Sequence, residues 1–223
     1  MKKLIVIVAL VICGGIYAKN RFYDPAHKLA IAKNEINALV SHHQLKDGDL
    51  IFQTSTSKQS LAIQLATKSK YSHCGLIFKN GDNYFVFEAV QPVKFTPLDK
   101  WITKGKDGHY VIKRLKNADQ VLNAEVLKKL RQECETFKGK SYDTAFEWTD
   151  DRIYCSELIW KAYQRATGIE IGKLEKLSNF NLTNKAVKLK LAERYGNKIP
   201  LNEDVISPVA IFKSDLLTTV KAN

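Results

Sequence analysis

Two apolar, β-prone runs flank Asn80-Gly81 within residues 71–90, YSHCGLIFKNGDNYFVFEAV. An Asn-Gly pair in that setting is the strongest short-range signal for a two-residue hairpin. A turn centred on Asn80 and Gly81 sets Lys79 opposite Asp82 and His73 opposite Glu88, so an imidazole lies beside a carboxylate. The other face carries Cys74, Leu76, Phe78, Phe85 and Phe87 and reads as core. By the same alternation Cys74 points away from His73.

Helical periodicity marks the rest. Asp24 and Pro25 open a helix to about Val40, with Leu29, Ala32, Ile36, Leu39 and Val40 as its apolar stripe. The turn Asp47-Gly48-Asp49 precedes a short strand over 50–53. A helix over 58–67, capped by Ser55 or Ser57, sets Leu61, Ala62 and Leu65 on one face. Pro92 and Pro97 keep the next segment extended or looped, before a helical turn around Trp101 and a strand over 109–115. One helix spans 118–137, where Leu127, Leu130, Cys134 and Phe137 form a buried stripe that makes Cys134 a core residue. Another spans 152–167, with Gly168 as its C-cap. A helix over 184–195 turns Ala186, Val187, Leu189 and Leu191 inward and its lysines outward; 199–204 and 209–212 are short strands or turns. Separated helices with an antiparallel sheet, and no repeat or linker, define an α+β domain.

Charge and the N-terminus change this picture. The chain of 223 residues has a formal net charge of +12, which favours anionic partners such as a membrane or wall polymer. No nucleic-acid-binding motif accompanies the lysines, so nucleic acid is excluded as a partner. Lys2-Lys3 precede an apolar run through Ala18, too short for a spanning helix. Residues 1–18 fit a signal peptide or an uncleaved N-terminal anchor, and either exports the chain to the periplasm or cell envelope. Ile12 before Cys13 does not fit a lipidation site. Residues 19–45 then form a helical extension, and 46–223 the main domain. Cys74, Cys134 and Cys155 remain, an odd number that makes no disulfide framework.

Cys155, in Ile153-Tyr154-Cys155-Ser156-Glu157, falls in the first turn of the helix over 152–167. Free N–H groups and the positive dipole end stabilise a thiolate there and can receive an oxyanion. Nucleophile Cys155, base His73 and orienter Glu88 follow as one constellation. A packing cysteine and a surface His–Glu ion pair are the bland readings of the same residues. His42-His43 with Asp47 and Asp49 lack zinc-ligand spacing and are explained by a helix end and a turn; no metal or other cofactor is expected. His109 reads as structural, and Trp101, Trp148 and Trp160 as core or pocket wall.

Gly48-Asp49-Leu50-Ile51, Tyr71-Ser72-His73, Phe87-Glu88-Ala89, Ser141-Tyr142-Asp143 and Tyr154-Cys155-Ser156-Glu157, with the tail from Ile199 to Val220, resemble the YiiX-like branch of the permuted NlpC-type, papain-like cysteine hydrolases. The resemblance implies a circularly permuted papain-like fold in which the histidine strand precedes the cysteine helix. It implies Cys155 as nucleophile, His73 as base and Glu88 as third member. It makes Tyr154 a candidate for the oxyanion site or substrate pocket, and sets Tyr142 and Asp143 at a family-like position, Tyr142 grouped with the same pocket. The expected activity is cleavage of an amide through a thioester, with peptide links of peptidoglycan as substrate class. A lipid-directed acyl hydrolase or acyltransferase, or a non-catalytic module for lipid or wall fragments, are the alternatives.

Overall fold

The computed structural model describes residues 25–57 and 59–223. The N-terminal segment 1–18, Cys13 and the Asp24 cap lie outside the described residues. The elements in chain order are α1 (Pro25–Ser41), β1 (Leu50–Gln53), α2 (Ser60–Thr67), β2 (His73–Asn80), β3 (Asn83–Glu88), β4 (Lys94–Pro97) and α3 (Leu98–Thr103). They continue with β5 (Val111–Leu115), α4 (Ala118–Val121), α5 (Ala124–Phe137), β6 (Ser141–Tyr142), β7 (Arg152–Ile153) and α6 (Cys155–Thr167). The chain ends with β8 (Glu175–Lys176), α7 (Lys185–Tyr195), β9 (Asp204–Val205), α8 (Pro208–Phe212) and β10 (Leu217–Ala222). The main sheet has the antiparallel order β10-β5-β1-β2-β3-β4.

Both faces of this sheet are core, whereas the sequence pattern assigned only one. Leu50, Phe52, Cys74, Leu76, Phe78 and Phe87 pack against α5 and α6. Ile51, Ile77, Val86 and Ile112 pack on the opposite side with Ala32 and Leu39 of α1 and Trp101 and Ile102 of α3. Phe85, expected in the first set, is only half-buried. The polar site is therefore confined to one end of the sheet, where β2 begins and β3 ends.

The hairpin turn sits one residue later than the Asn-Gly signal implied. Asn80 pairs with Asn83, so Gly81 and Asp82 form the turn, with Gly81 at φ 58°. A left-handed first turn residue suits glycine. The expected pairing of Lys79 with Asp82 is replaced by Lys79 with Tyr84. Sliding the turn by one residue moves cross-strand partners by two, which preserves face parity.

Three helices differ from their periodicity. The segment 118–137 is broken after Val121, because Asn123 caps α5 by accepting from the Val126 N–H at 3.0 Å. Neither Ser55 nor Ser57 caps α2; its N-cap is Gln59, without a side-chain bond. Leu61 and Leu189, expected inward, are exposed. Residues 209–212 are helical, with Ser207 capping α8 and Pro208 at its first position.

Candidate active site

Each candidate catalytic side chain sits at an element boundary. His73 is the first residue of β2, Glu88 the last of β3 and Cys155 the first of α6. All are buried, at 9%, 1% and 2% exposure. Only Leu158 N–H begins the i→i−4 ladder of α6, bonding Tyr154 O at 3.0 Å. The N–H groups of Cys155, Ser156 and Glu157 precede that ladder and supply the positive end of the helix. A parallel bridge between β6 and β7 delivers the chain to this point.

His73 Nε2 lies 2.6 Å from Glu88 Oε2. Trp101 Nε1–H also donates to Oε2, at 2.8 Å, and the Thr96 hydroxyl donates to Oε1 at 2.6 Å. Lys104 Nζ stands 3.7 Å from Oε1. The Trp101 indole stacks on the imidazole with centroids 5.8 Å apart. Glu88 is thus held by three hydrogen bonds before any substrate is considered, and it fixes the ring of His73. With Nε2 committed to Glu88, Nδ1 is the nitrogen left for Cys155, and the two side chains shift each other's ionisation.

The electrostatics follow. Burial alone pushes the His73 imidazole down, but its hydrogen bonds to Cys155 and Glu88, with their charges, overcome this and raise it to about 10. Glu88 is lowered: burial opposes ionisation, and the bonds to His73 and Thr96 outweigh it. Cys155 is held well below an ordinary thiol by hydrogen bonding from Cys74, against burial, with help from His73. These shifts favour the thiolate form of Cys155 and the protonated form of His73, beside the Glu88 carboxylate.

Cys74 therefore stands beside Cys155, not behind the sheet away from the site as alternation suggested. Its thiol and its backbone N–H both act to lower the Cys155 thiol. The physical reason is that α6 packs on the Cys74 face of β2, so its N-terminus meets that strand at its end. There a side chain can reach both neighbours. Burial pushes the Cys74 thiol itself well up, so it stays protonated. Cys134 is buried among Leu130 and Phe137, as its helical stripe implied.

Tyr154 borders an apolar cavity, and its hydroxyl oxygen accepts from Ile206 N–H at 3.1 Å. Tyr142 lies between that cavity and a polar cleft, bordering both. Asp143 has a role the sequence did not reveal. Fully buried, it accepts from Ala145 N–H at 2.7 Å and Glu147 N–H at 2.6 Å, and so shapes the loop that presents Phe146 to the cavity.

Sequence reasoning missed Thr96 and Gln53, and it read Trp101 as no more than core or pocket wall. Gln53 pairs with His73 across β1–β2, is buried, borders the polar cleft and leaves Oε1 without a hydrogen-bond partner among the described residues. No signal in the chain marked Thr96, because its bond to Glu88 depends on the β3–β4 pairing.

The fold is that of a permuted papain-like cysteine hydrolase. Residues 44–221 match the permuted papain-like amidase family, YaeF/YiiX, C92, and the chain belongs to that family. It is 49% identical over 177 residues to the uncharacterized protein YiiX of Escherichia coli K12, covering 79% of this chain and 86% of that protein. The crystal structure titled "metalloprotein yiiX", from Escherichia coli O157:H7, matches with a TM-score of 0.77 at 49% identity. The match covers 81% of this chain and 98% of that one. Among the described residues here, no group of three or more His, Cys, Asp or Glu side chains is placed to hold a metal ion.

Proposed function

We propose that this protein is a thiol amidase of the cell envelope that cleaves an amide bond through a thioester on Cys155. The observation that carries the reading is the 2.6 Å His73–Glu88 contact beside a cysteine at the start of a helix. The Cys155 thiolate attacks the carbonyl carbon, and the oxyanion is received by the free N–H groups of the first turn of α6. His73 protonates the leaving amine, then takes a proton from the water that hydrolyses the thioester. Glu88 keeps the imidazole in the required tautomer and stabilises its charged form.

Export rests on residues 1–18, and among the described residues no helix is long and apolar enough to cross a membrane. The basic charge suits contact with an anionic membrane or wall polymer. For substrate, the sequence resemblance favours peptide links of peptidoglycan. A second reading, a lipid-borne acyl group, draws support from the apolar cavity against Cys155. Product analysis on muropeptides and on acylated lipids separates the two. A protein that turns over neither, and in which alkylating Cys155 changes nothing measurable, would be a binding module instead.

A further inference from the structure

Two charged side chains of α6 are buried although the reaction above uses neither. Glu157 is 0% exposed and Lys161, one turn later, 4%. Lys161 Nζ stands 2.7 Å from Glu157 Oε1 and 4.8 Å from the centroid of the Trp148 ring. The contact with Glu157 is one of charge, since Oε1 has no hydrogen-bond partner among the described residues. Nζ directs its hydrogen bonds elsewhere, donating to Thr149 O at 2.7 Å and to Asp150 Oδ1 at 2.9 Å. Glu157 Oε2 accepts from Tyr154 N–H at 3.4 Å.

A buried ion pair is a poor stabiliser. Apolar side chains of similar volume often hold a fold as well or better, because both charges must first leave water. What this pair does hold is the run of chain that delivers Cys155. Thr149 and Asp150 precede β7 and Tyr154 immediately precedes Cys155, so side chains of α6 grip residues 149–154 at both ends. The β6–β7 bridge adds only two residue pairs to the same task. The direction in which the chain enters α6 sets where Cys155 Sγ lies relative to His73 and where the free N–H groups of the first turn point.

We infer that Glu157 and Lys161 are positioning residues for Cys155, fixing residues 149–154 so that its sulfur stays in register with His73. The inference rests on the amidase reading for its kinetic consequence and adds to it a second pair of side chains on which that reaction depends. Misplacement by about 1 Å is enough to cost about 10²-fold in rate.

The test is a paired replacement in the full chain. Glu157→Leu and Lys161→Met, each alone, strand one buried charge and should lower the urea midpoint. Combined, they should return the midpoint close to that of the wild type. In the combined variant kcat should stay at least about tenfold low with KM little changed, and the acid limb of the iodoacetamide reaction of Cys155 should move to higher pH. Rates are measured at pH 9, because burial, with Asp143 adding to it, raises Glu157 to about 8 against the pull of Lys161. Should the combined variant fail to fold, Asp150→Asn at a half-exposed position loosens the same grip, and kcat should fall by about threefold at unchanged KM. Recovery of kcat and of the wild-type alkylation profile together with stability would make the pair merely structural and overturn the inference, as would wild-type kcat in Asp150→Asn. Alkylation needs no substrate, so wild-type protein that turns over no amide would sink the amidase reading and leave the alkylation profiles to decide the positioning role.

Discussion

Glu88 faces Gly75 across the β2–β3 pair, yet its carboxylate bonds His73, two residues along the strand. The ladder runs from Leu76 with Phe87, so the residue directly opposite Glu88 carries no side chain. A Cβ at Gly75 would lie 2.3 Å from Val86 Cγ1 and 2.9 Å from Phe87 O. Gly75→Ala must therefore displace the strand that carries Glu88, inside a core with no slack. The expected cost is about 1–3 kcal/mol, read by urea unfolding, with a fall in turnover.

Cys155→Ala should abolish turnover while the urea midpoint moves little, because a small buried side chain replaces another. Glu88→Gln should retain more activity, with kcat reduced about 10²–10⁴-fold, the range associated with a positioned acid–base group. The nucleophile remains, but the amide cannot match three donors from His73, Trp101 and Thr96. Steady-state kinetics on one amide substrate rank the two variants; a Glu88→Gln loss as complete as that of Cys155→Ala would contradict the orienting role.

Cys74→Ala should leave a working enzyme with a less acidic nucleophile. Hydrogen bonding from Cys74 leads the causes that hold Cys155 low. The iodoacetamide reaction of Cys155 should therefore show an acid limb displaced to higher pH in this variant. Loss of all turnover with folding preserved would make Cys74 the nucleophile.

The pH dependence has a defined sign. His73 rises from 6.5 to about 10 in the fold, so its stabilising contribution is full below pH 6.5 and is lost as pH climbs toward 10. Glu88 is lowered from 4.5, so its contribution is present above that value and is lost as pH falls through its folded pKa. Turnover should show a thiolate limb well below pH 9 and a decline as the imidazolium deprotonates near 10. In Cys155→Ala one of the two partners that raise His73 is gone, and imidazole titration by NMR should give a lower pKa than in the wild type.

Asp143→Ala removes two charged acceptors from the loop before Phe146 and should cost about 1–3 kcal/mol. Its kinetic effect should fall on KM more than on kcat, since the loop lines the cavity through Phe146 and the cleft through Thr144, where a substrate would lie. An unchanged KM with a large fall in kcat would give Asp143 a role in the reaction itself.

By itself the sequence determined the elements and their boundaries well enough to nominate Cys155, His73 and Glu88. Period-2 alternation put His73 and Glu88 on one face, and that survived a misplaced turn because a two-residue shift in pairing preserves parity. Helical spacing likewise buried Leu130, Cys134 and Phe137. Tertiary structure decided what periodicity cannot encode: which helix covers which face, and which distant residues meet. Packing of α6 on the Cys74 side of β2 brought a supposed bystander to Cys155. Pairing of β3 with β4 and docking of α3 brought Thr96 and Trp101 to Glu88. Hydrogen bonds of that kind depend on angstrom-scale placement of separate elements, so no local pattern records them. The hairpin was legible in the chain, while the environment that sets its charge state arose only on folding.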